Sequence, residues 1–414
     1  MKILIQNIIR KENILRYKDY LLNILSSVIM TCATQLVVYP FLGRHITKEE
    51  YGSLLTIMGL INFIGVALGN PLNNVRILMQ REYDDNNLVG DFNFLFLHAF
   101  YILIPVIFIG SYFIYQSFSM NFIWILIGAL VMFRAYYSAG YRIWINYKKV
   151  LIISIVTLFG YIIGIWFVIL GGHWTITFLL GELSAAIYLV FTCKIIKEPI
   201  KKTMLYKKSL RKYIFFLLAT VVSTALTYAD RFFIYPVLGA AFVSIYNTAS
   251  FLGKTIGIIM SPISGVLLTY YAKETNLTLK GFYKRLIYYF IAVVLCYIVI
   301  LLFGPFIVKL LYPTLLLDAK YYMPVANLAT LIAILGNTIS PTMIRYCSEK
   351  WQPIIQVIYF ISYMIFGIIF MKIWGLIGYS VSITLVNIIK VCIMVIITTR
   401  ELKKIEMFKG ENIT

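Results

Sequence analysis

The sequence predicts an all-α integral membrane protein of about twelve transmembrane helices in two pseudo-symmetric six-helix bundles. Three observations predict it. Hydrophobic residues make up 61% of the 414-residue chain and charged residues only 13%, whereas a soluble domain carries about 25% charged residues to cover its surface. Apolar runs of membrane-spanning length, about 20 residues, recur from end to end. Lys and Arg crowd into alternate connections. The bilayer is then the solvent for most of this chain, and helices are the way to satisfy backbone polar groups inside it.

In order, the spans are expected near 20–43, 51–72, 93–115, 121–141, 150–170, 174–196, 213–238, 242–270, 281–311, 321–345, 352–373 and 375–399. The ninth is long enough to tilt or to carry an interfacial turn at Gly304-Pro305. The last two are divided only by Lys372-Ile373-Trp374-Gly375. Orientation follows from the cations. With the N-terminus inside, 28 of the 37 Lys and Arg fall in inner segments, 5 in outer loops and 4 within spans. This bias predicts both termini in the cytoplasm. It also accounts for most of the +20 formal charge without invoking nucleic acid. The first nineteen residues lack the apolar core and cleavage site of a signal peptide.

Two halves are expected to meet at the midpoint. Residues 1–196 would form the N-terminal bundle, 197–212 a basic cytoplasmic linker and 213–414 the C-terminal bundle. A repeat crosses that join: Val37-Val38-Tyr39-Pro40-Phe41-Leu42-Gly43 ends the first span, and Phe233-Ile234-Tyr235-Pro236-Val237-Leu238-Gly239 ends the seventh. Parallel repeats of this kind enclose a central cavity.

Charges inside spans point to that cavity, because a cation at the centre of a membrane helix costs about 2.5–3.5 kcal/mol unless it meets water or a partner. Arg134, Arg231, Lys254 and Lys390 are the candidate cavity cations, and Glu182 and Asp230 the acids available to them. Glu182 could neutralise Arg134 or carry a proton; Asp230 could be a structural counter-charge or a coupling site. Arg134 could instead snorkel or stack on its neighbouring tyrosines. Four bases against two acids predict a net-positive cavity that recruits anions. Asn70-Pro71-Leu72-Asn73-Asn74 is expected to close the second span, with Ser261-Pro262 and Ser340-Pro341 breaking the eighth and tenth.

Several chemistries have no residues to carry them. There is no Walker A loop, no GxGxxG after a strand and no HExxH. His45, His98 and His173 sit apart at span ends, and the five cysteines have no metal spacing. No metal and no cofactor is expected, and any work would draw on gradients rather than ATP.

Two stretches carry a family resemblance: Leu42-Gly43-Arg44-His45-Ile46-Thr47-Lys48-Glu49-Glu50-Tyr51-Gly52, and Tyr228-Ala229-Asp230-Arg231-Phe232 continuing through Leu238-Gly239 to Ser244-Ile245-Tyr246-Asn247-Thr248-Ala249. Arg134 with Tyr136-Tyr137 and Arg142 adds to it. The chain resembles the Wzx-type polysaccharide (O-antigen or capsule) flippases of the multidrug/oligosaccharidyl-lipid/polysaccharide (MOP) exporter superfamily, related in fold to MATE transporters. Val243-Ser244 departs from the Val-Gly pair frequent there. The resemblance implies a flippase, not an enzyme, in the bacterial plasma (inner) membrane. It would move undecaprenyl-pyrophosphate-linked oligosaccharide from the cytoplasmic to the outer face by alternating access. Membrane lipid, a polysaccharide polymerase and a chain-length regulator would be its partners, with no nucleic acid. Arg134, Arg231, Lys254 and Lys390 would hold the substrate, Arg44 and Arg76 would act as gate or headgroup contacts, and Asp230 and Glu182 would couple ions. A lipid II flippase of the same superfamily usually has fourteen spans. A membrane polymerase needs a large outer loop, and the longest here, near 309–321, is about a dozen residues.

Overall fold

The computed structural model describes residues 18–19, 21–273, 277–348 and 350–411. The basic N-terminal segment, residues 1–17, lies outside the described residues. Among those described, every regular element is helical, as a chain that must satisfy its backbone in lipid requires. The helices are α1 (Leu21–His45), α2 (Lys48–Asp85), α3 (Asp91–Tyr115), α4 (Phe118–Ile143), α5 (Tyr147–Ile169), α6 (Thr175–Thr192) and α7 (Tyr206–Leu238). There follow α8 (Ala240–Ala249), α9 (Phe251–Lys273), α10 (Leu279–Leu311), the short α11 (Leu316–Lys320), α12 (Met323–Tyr346) and α13 (Trp351–Glu411).

Among the described residues, ten helices are long and apolar enough to cross a membrane. The last holds two of the expected spans. Helical geometry fails within α13 at Trp374 (φ −122°) and Gly375 (φ 60°, ψ −142°). The expected division between the final spans therefore falls where Trp374-Gly375 stands, and Gly375 takes a conformation that a Cβ disfavours. The eighth expected span is carried by α8 and α9 together.

The prolines do less than expected. α2 runs through Pro71 to Asp85, so Asn70-Pro71-Leu72-Asn73-Asn74 does not close it. α9 is assigned as one helix across Ser261-Pro262, and α12 runs through Pro341. α10 passes through Gly304-Pro305 as one helix of 33 residues, about 50 Å of rise against a hydrocarbon core of about 30 Å. A full helix end in lipid would orphan several backbone groups, whereas a proline removes one bond.

The break that does occur in the eighth span is at Ser250, between α8 and α9. Asn327 on α12 explains it. Its Nδ2 donates to the Ala249 carbonyl at 2.7 Å and its Oδ1 accepts from the Gly253 N–H at 2.8 Å. One buried amide thus satisfies two backbone groups at the break. Another irregularity lies in α1, where Ala33–Val38 is wound as a π-helix. Such widened turns are rare and concentrate at functional sites.

The chain divides into two compact units. Unit 1 comprises residues 1–45 and 53–232, and unit 2 residues 46–52 and 233–414. Within unit 1, α5 and α6 pack closely. A Cβ on Gly160 would come within 2.6 Å of the Leu180 carbonyl oxygen, the kind of close approach that small residues permit between membrane helices. Within unit 2, Phe282 on α10 joins Leu335, Ile339 and Met343 on α12 and Ile397 and Leu402 on α13 in one apolar cluster.

Candidate functional site

The polar heart of unit 1 is a cavity of about 190 Å³ between α1, α2, α4, α5 and α6. Arg134 from α4 and Glu182 from α6 line it. Arg134 Nε and Nη2 donate to Glu182 Oε2 and Oε1 at 2.7 and 2.9 Å, a bidentate fork. The Tyr161 hydroxyl on α5 donates to Glu182 Oε1 at 3.0 Å. Gly181 makes room for that ring, since a Cβ there would fall 2.1 Å from it. The π-wound turn of α1 contributes Thr34, and Tyr39 directly follows it; both line the same cavity.

The two sides of the pair are not equally enclosed. The Glu182 side chain is 3% exposed and Arg134 is 25% exposed. A guanidinium carries five N–H donors, and Glu182 accepts only two. Among the described residues, Arg134 Nη1 has no hydrogen-bond partner. Donor capacity is thus left over on the cavity side. That is the geometry for receiving a second anion, such as a phosphate, which a guanidinium grips in the same fork.

Arg231 lies close by on α7. It is buried, and its Nη1 donates to the Leu55 carbonyl at 2.9 Å. Its guanidinium lies 5.4 Å from the centre of the Tyr228 ring and near Tyr39. Tyr39 thereby neighbours Arg231 and lines the Arg134 cavity. Asp230 is buried beside Arg231 on the same helix. Unit 1 therefore gathers Arg134, Glu182, Arg231 and Asp230 in one neighbourhood, bases and acids in equal number.

Lys254 and Lys390 belong to unit 2. Lys254 Nζ sits over the Tyr246 ring at 5.1 Å and Lys390 Nζ over the Tyr359 ring at 4.4 Å. Tyrosines run between them. The Tyr246 ring meets Tyr379 at 5.1 Å, the Tyr379 and Tyr363 hydroxyls are 2.6 Å apart, and Tyr363 meets Tyr359 at 5.9 Å. Lys390 lines only a space of about 10 Å³.

The remaining candidates differ from one another. Arg44 is exposed at the end of α1. Arg76, expected beyond the end of the second span as a gate or headgroup contact, is 3% exposed within α2. The continuation of α2 past Pro71 draws it inward. Its Nη2 donates to Glu198 Oε1 at 2.7 Å, and it lies over Phe92 at 5.2 Å and Tyr83 at 5.7 Å. Several participants were not singled out in the sequence: Tyr161, Thr34, Tyr359, Tyr363 and Tyr379. The pair Tyr359 and Tyr363, four residues apart, shares a helix face. The others have no local signature.

No family model matches the chain, and no curated protein matches it in sequence. Solved structures do match in fold. An inward-facing multidrug resistance MATE family transporter of the MOP superfamily superposes with a TM-score of 0.64 at 12% identity, covering 94% of this chain and 96% of that one. The lipid II flippase MurJ in an inward closed conformation gives 0.67 at 17% identity, over 93% of this chain and 86% of that one. The eukaryotic MATE transporter AtDTX14 gives 0.60 at 13% identity, over 96% and 98%. The chain therefore has the all-helical membrane fold that these transporters and this flippase share.

Proposed function

We propose that this chain is a flippase for undecaprenyl-pyrophosphate-linked oligosaccharide repeat units of the O-antigen or capsule type. It would work by alternating access in a bacterial plasma (inner) membrane, with both termini cytoplasmic. One observation carries the reading: Arg134 opens onto a cavity with unspent N–H donors while its charge is held in reserve by Glu182. A pyrophosphate bears the charge and the paired oxygens that such a fork binds. Lending support are the shared fold and the basic bias of the inner segments. Arg231, next to the same cavity through Tyr39, is the second substrate cation. Glu182 and Asp230 are the groups through which an ion gradient could act. Lys254 and Lys390 serve unit 2 in the same reading, and Arg44 is an outer contact. A polysaccharide polymerase and a chain-length regulator would act on the product.

The test is deletion of the gene, followed by analysis of lipid-linked intermediates and surface glycan. Complete single repeat units should accumulate on the carrier at the cytoplasmic face. Accumulation at the outer face would sink the proposal and favour a polymerase. In the complemented strain, Arg134→Ala and Arg134→Lys should both lower export. Loss of charge-assisted hydrogen bonds worth about 1.5–3 kcal/mol corresponds to about 10–100-fold. Full export by both variants would remove Arg134 from the substrate site. A lipid II flippase is the second reading, favoured by the superposition on MurJ. Complementation of a strain depleted of its lipid II flippase separates the two.

A further inference from the structure

We infer that the connection between α6 and α7, residues 193–205, together with the first turns of α7, is a fixed strap whose outer face binds anionic glycerophospholipid headgroups of the adjacent leaflet. The charges come first. Lys194, Lys197, Lys201, Lys202, Lys207 and Arg211 are all exposed. The single acid of the strap, Glu198, is turned inward to the buried Arg76. Nearby acids at the end of α2 already have partners: Glu82 takes Lys208, Asp85 takes Arg81, and Asp84 accepts from Gln80. The outward face is thus left cationic.

A charged run of this length is often a solvated tether, but two features argue otherwise. The backbone of the strap is tied down from beneath. Asn93 Nδ2 donates to the carbonyls of Ile195 and Glu198 at 3.2 and 2.8 Å. The fully buried Asp91 accepts from the Thr203 N–H at 2.7 Å and from the Thr203 hydroxyl. Tyr83 bridges Asp91 and Ser209 at 2.7 Å each. Lys202 is held over the Phe94 and Tyr206 rings at 4.7 and 5.0 Å. The cations are presented by an ordered backbone, so little entropy is lost when they engage headgroups. The second feature is apolar. Ile200 is 60% and Met204 78% exposed, interleaved with the lysines. Large apolar side chains among cations, on a segment that joins two spans, suit the boundary between headgroups and acyl chains. A basic segment there is drawn to anionic lipid within a Debye length of the surface.

The full-length protein in nanodiscs tests this by hydrogen exchange over residues 199–206. Phosphatidylcholine discs with phosphatidylglycerol should slow exchange several-fold relative to discs without it, and added salt should erase the difference. Lys201→Gln with Lys202→Gln and Lys207→Gln should abolish the protection. An equal change of charge elsewhere, Lys280→Gln with Lys284→Gln and Lys404→Gln, should leave it intact. Equal loss in both triple variants would reduce the effect to net charge and overturn the inference. So would protection by geranylgeranyl pyrophosphate in phosphatidylcholine discs without protection by phosphatidylglycerol, which would make the face a substrate contact. Protection only in native membranes, and in no pure lipid, would make it a protein-docking face and equally overturn it. If the lysine variants do not fold, the salt series on the unmodified protein still decides.

Discussion

Unit 1 and unit 2 each hold cations within apolar helices, yet they stabilise them differently. In unit 1 Arg134 is forked onto Glu182, and Arg76 makes a single bond to Glu198, the shortest contact of each pair being 2.7 Å. In unit 2 Lys254 and Lys390 rest on the faces of Tyr246 and Tyr359. Among the described residues, Lys390 has no hydrogen-bond or ion-pair partner. The chemistry explains the choice. Guanidinium matches a carboxylate with two parallel bonds and loses little hydration, whereas ammonium is a compact charge that a ring face can hold. A carboxylate pair is neutral and fixed. A cation on a ring keeps its charge. Within unit 1, Glu182 balances the charge of Arg134 and leaves its remaining donors facing the cavity, whereas within unit 2 Lys390 faces a ring in place of a carboxylate.

The comparison breaks most easily at its strongest bond. Glu182→Ala leaves Arg134 buried without its counter-charge, and removing one partner of a buried pair costs about 3–5 kcal/mol. Unfolding of the detergent-purified variant should show a loss of about 3 kcal/mol, the low end because Arg134 is 25% exposed to the cavity. The double change Arg134→Met with Glu182→Met should restore most of that stability without restoring export. Recovery of export by the double variant would show the pair to be scaffold only. Next in size is Arg76→Ala. It removes one charged hydrogen bond and two ring contacts, about 2 kcal/mol, and leaves Glu198 with access to water at 15% exposure. Its cost should be read in thermal unfolding and in faster exchange of the 194–205 segment, which Glu198 helps to hold. No change in that exchange would dissociate Arg76 from the strap.

Much of the fold was legible because it rests on quantities that sum along a chain. Apolar runs marked the helices, and Trp374-Gly375 marked the final break. The effect of the prolines on helix ends is less legible, because the local penalty of a proline is not the only cost in play. In lipid the alternative, a full helix end, orphans more backbone groups, so Pro71 and Pro341 sit inside continuous helices. The true break at Ser250 depends on Asn327, 77 residues away, and no local pattern announces a long-range satisfier. The site divides in the same way. A cation in an apolar run is visible in sequence, as Arg134, Arg231, Lys254 and Lys390 are. Partners are not visible: that Glu182 lies against Arg134 is a long-range contact with no local pattern. Arg76 was misplaced because the end of α2 was. The tyrosines of unit 2 are hidden among the 32 of the chain.

The two copies of the repeat give a smaller effect. Gly43 lies within α1, whereas Gly239 is the N-cap of α8 at φ 94° and ψ 173°. No atom would obstruct a Cβ at Gly239, so Gly239→Ala isolates backbone strain, about 1–3 kcal/mol. Gly375→Ala, equally unobstructed at φ 60°, should behave alike in thermal unfolding. Loss beyond that range at either position would mean that the turn does more than change direction.

The smallest expected effect sharpens the comparison most. Lys390→Met removes a cation whose only contact of note is a ring face, worth about 0.5–2 kcal/mol, and relieves the desolvation of an ammonium in lipid, which offsets it. Stability should change by less than about 1 kcal/mol, in contrast to Glu182→Ala. Tyr359→Leu should cost more than Lys390→Met, because it keeps the charge and removes what holds it. If Lys390→Met proves the more damaging of the two, the ring is not the partner that stabilises this lysine, and unit 2 must neutralise its cations as unit 1 does. If stability holds while export falls, Lys390 is retained for its charge alone, as a free cation on the path of an anionic substrate would be.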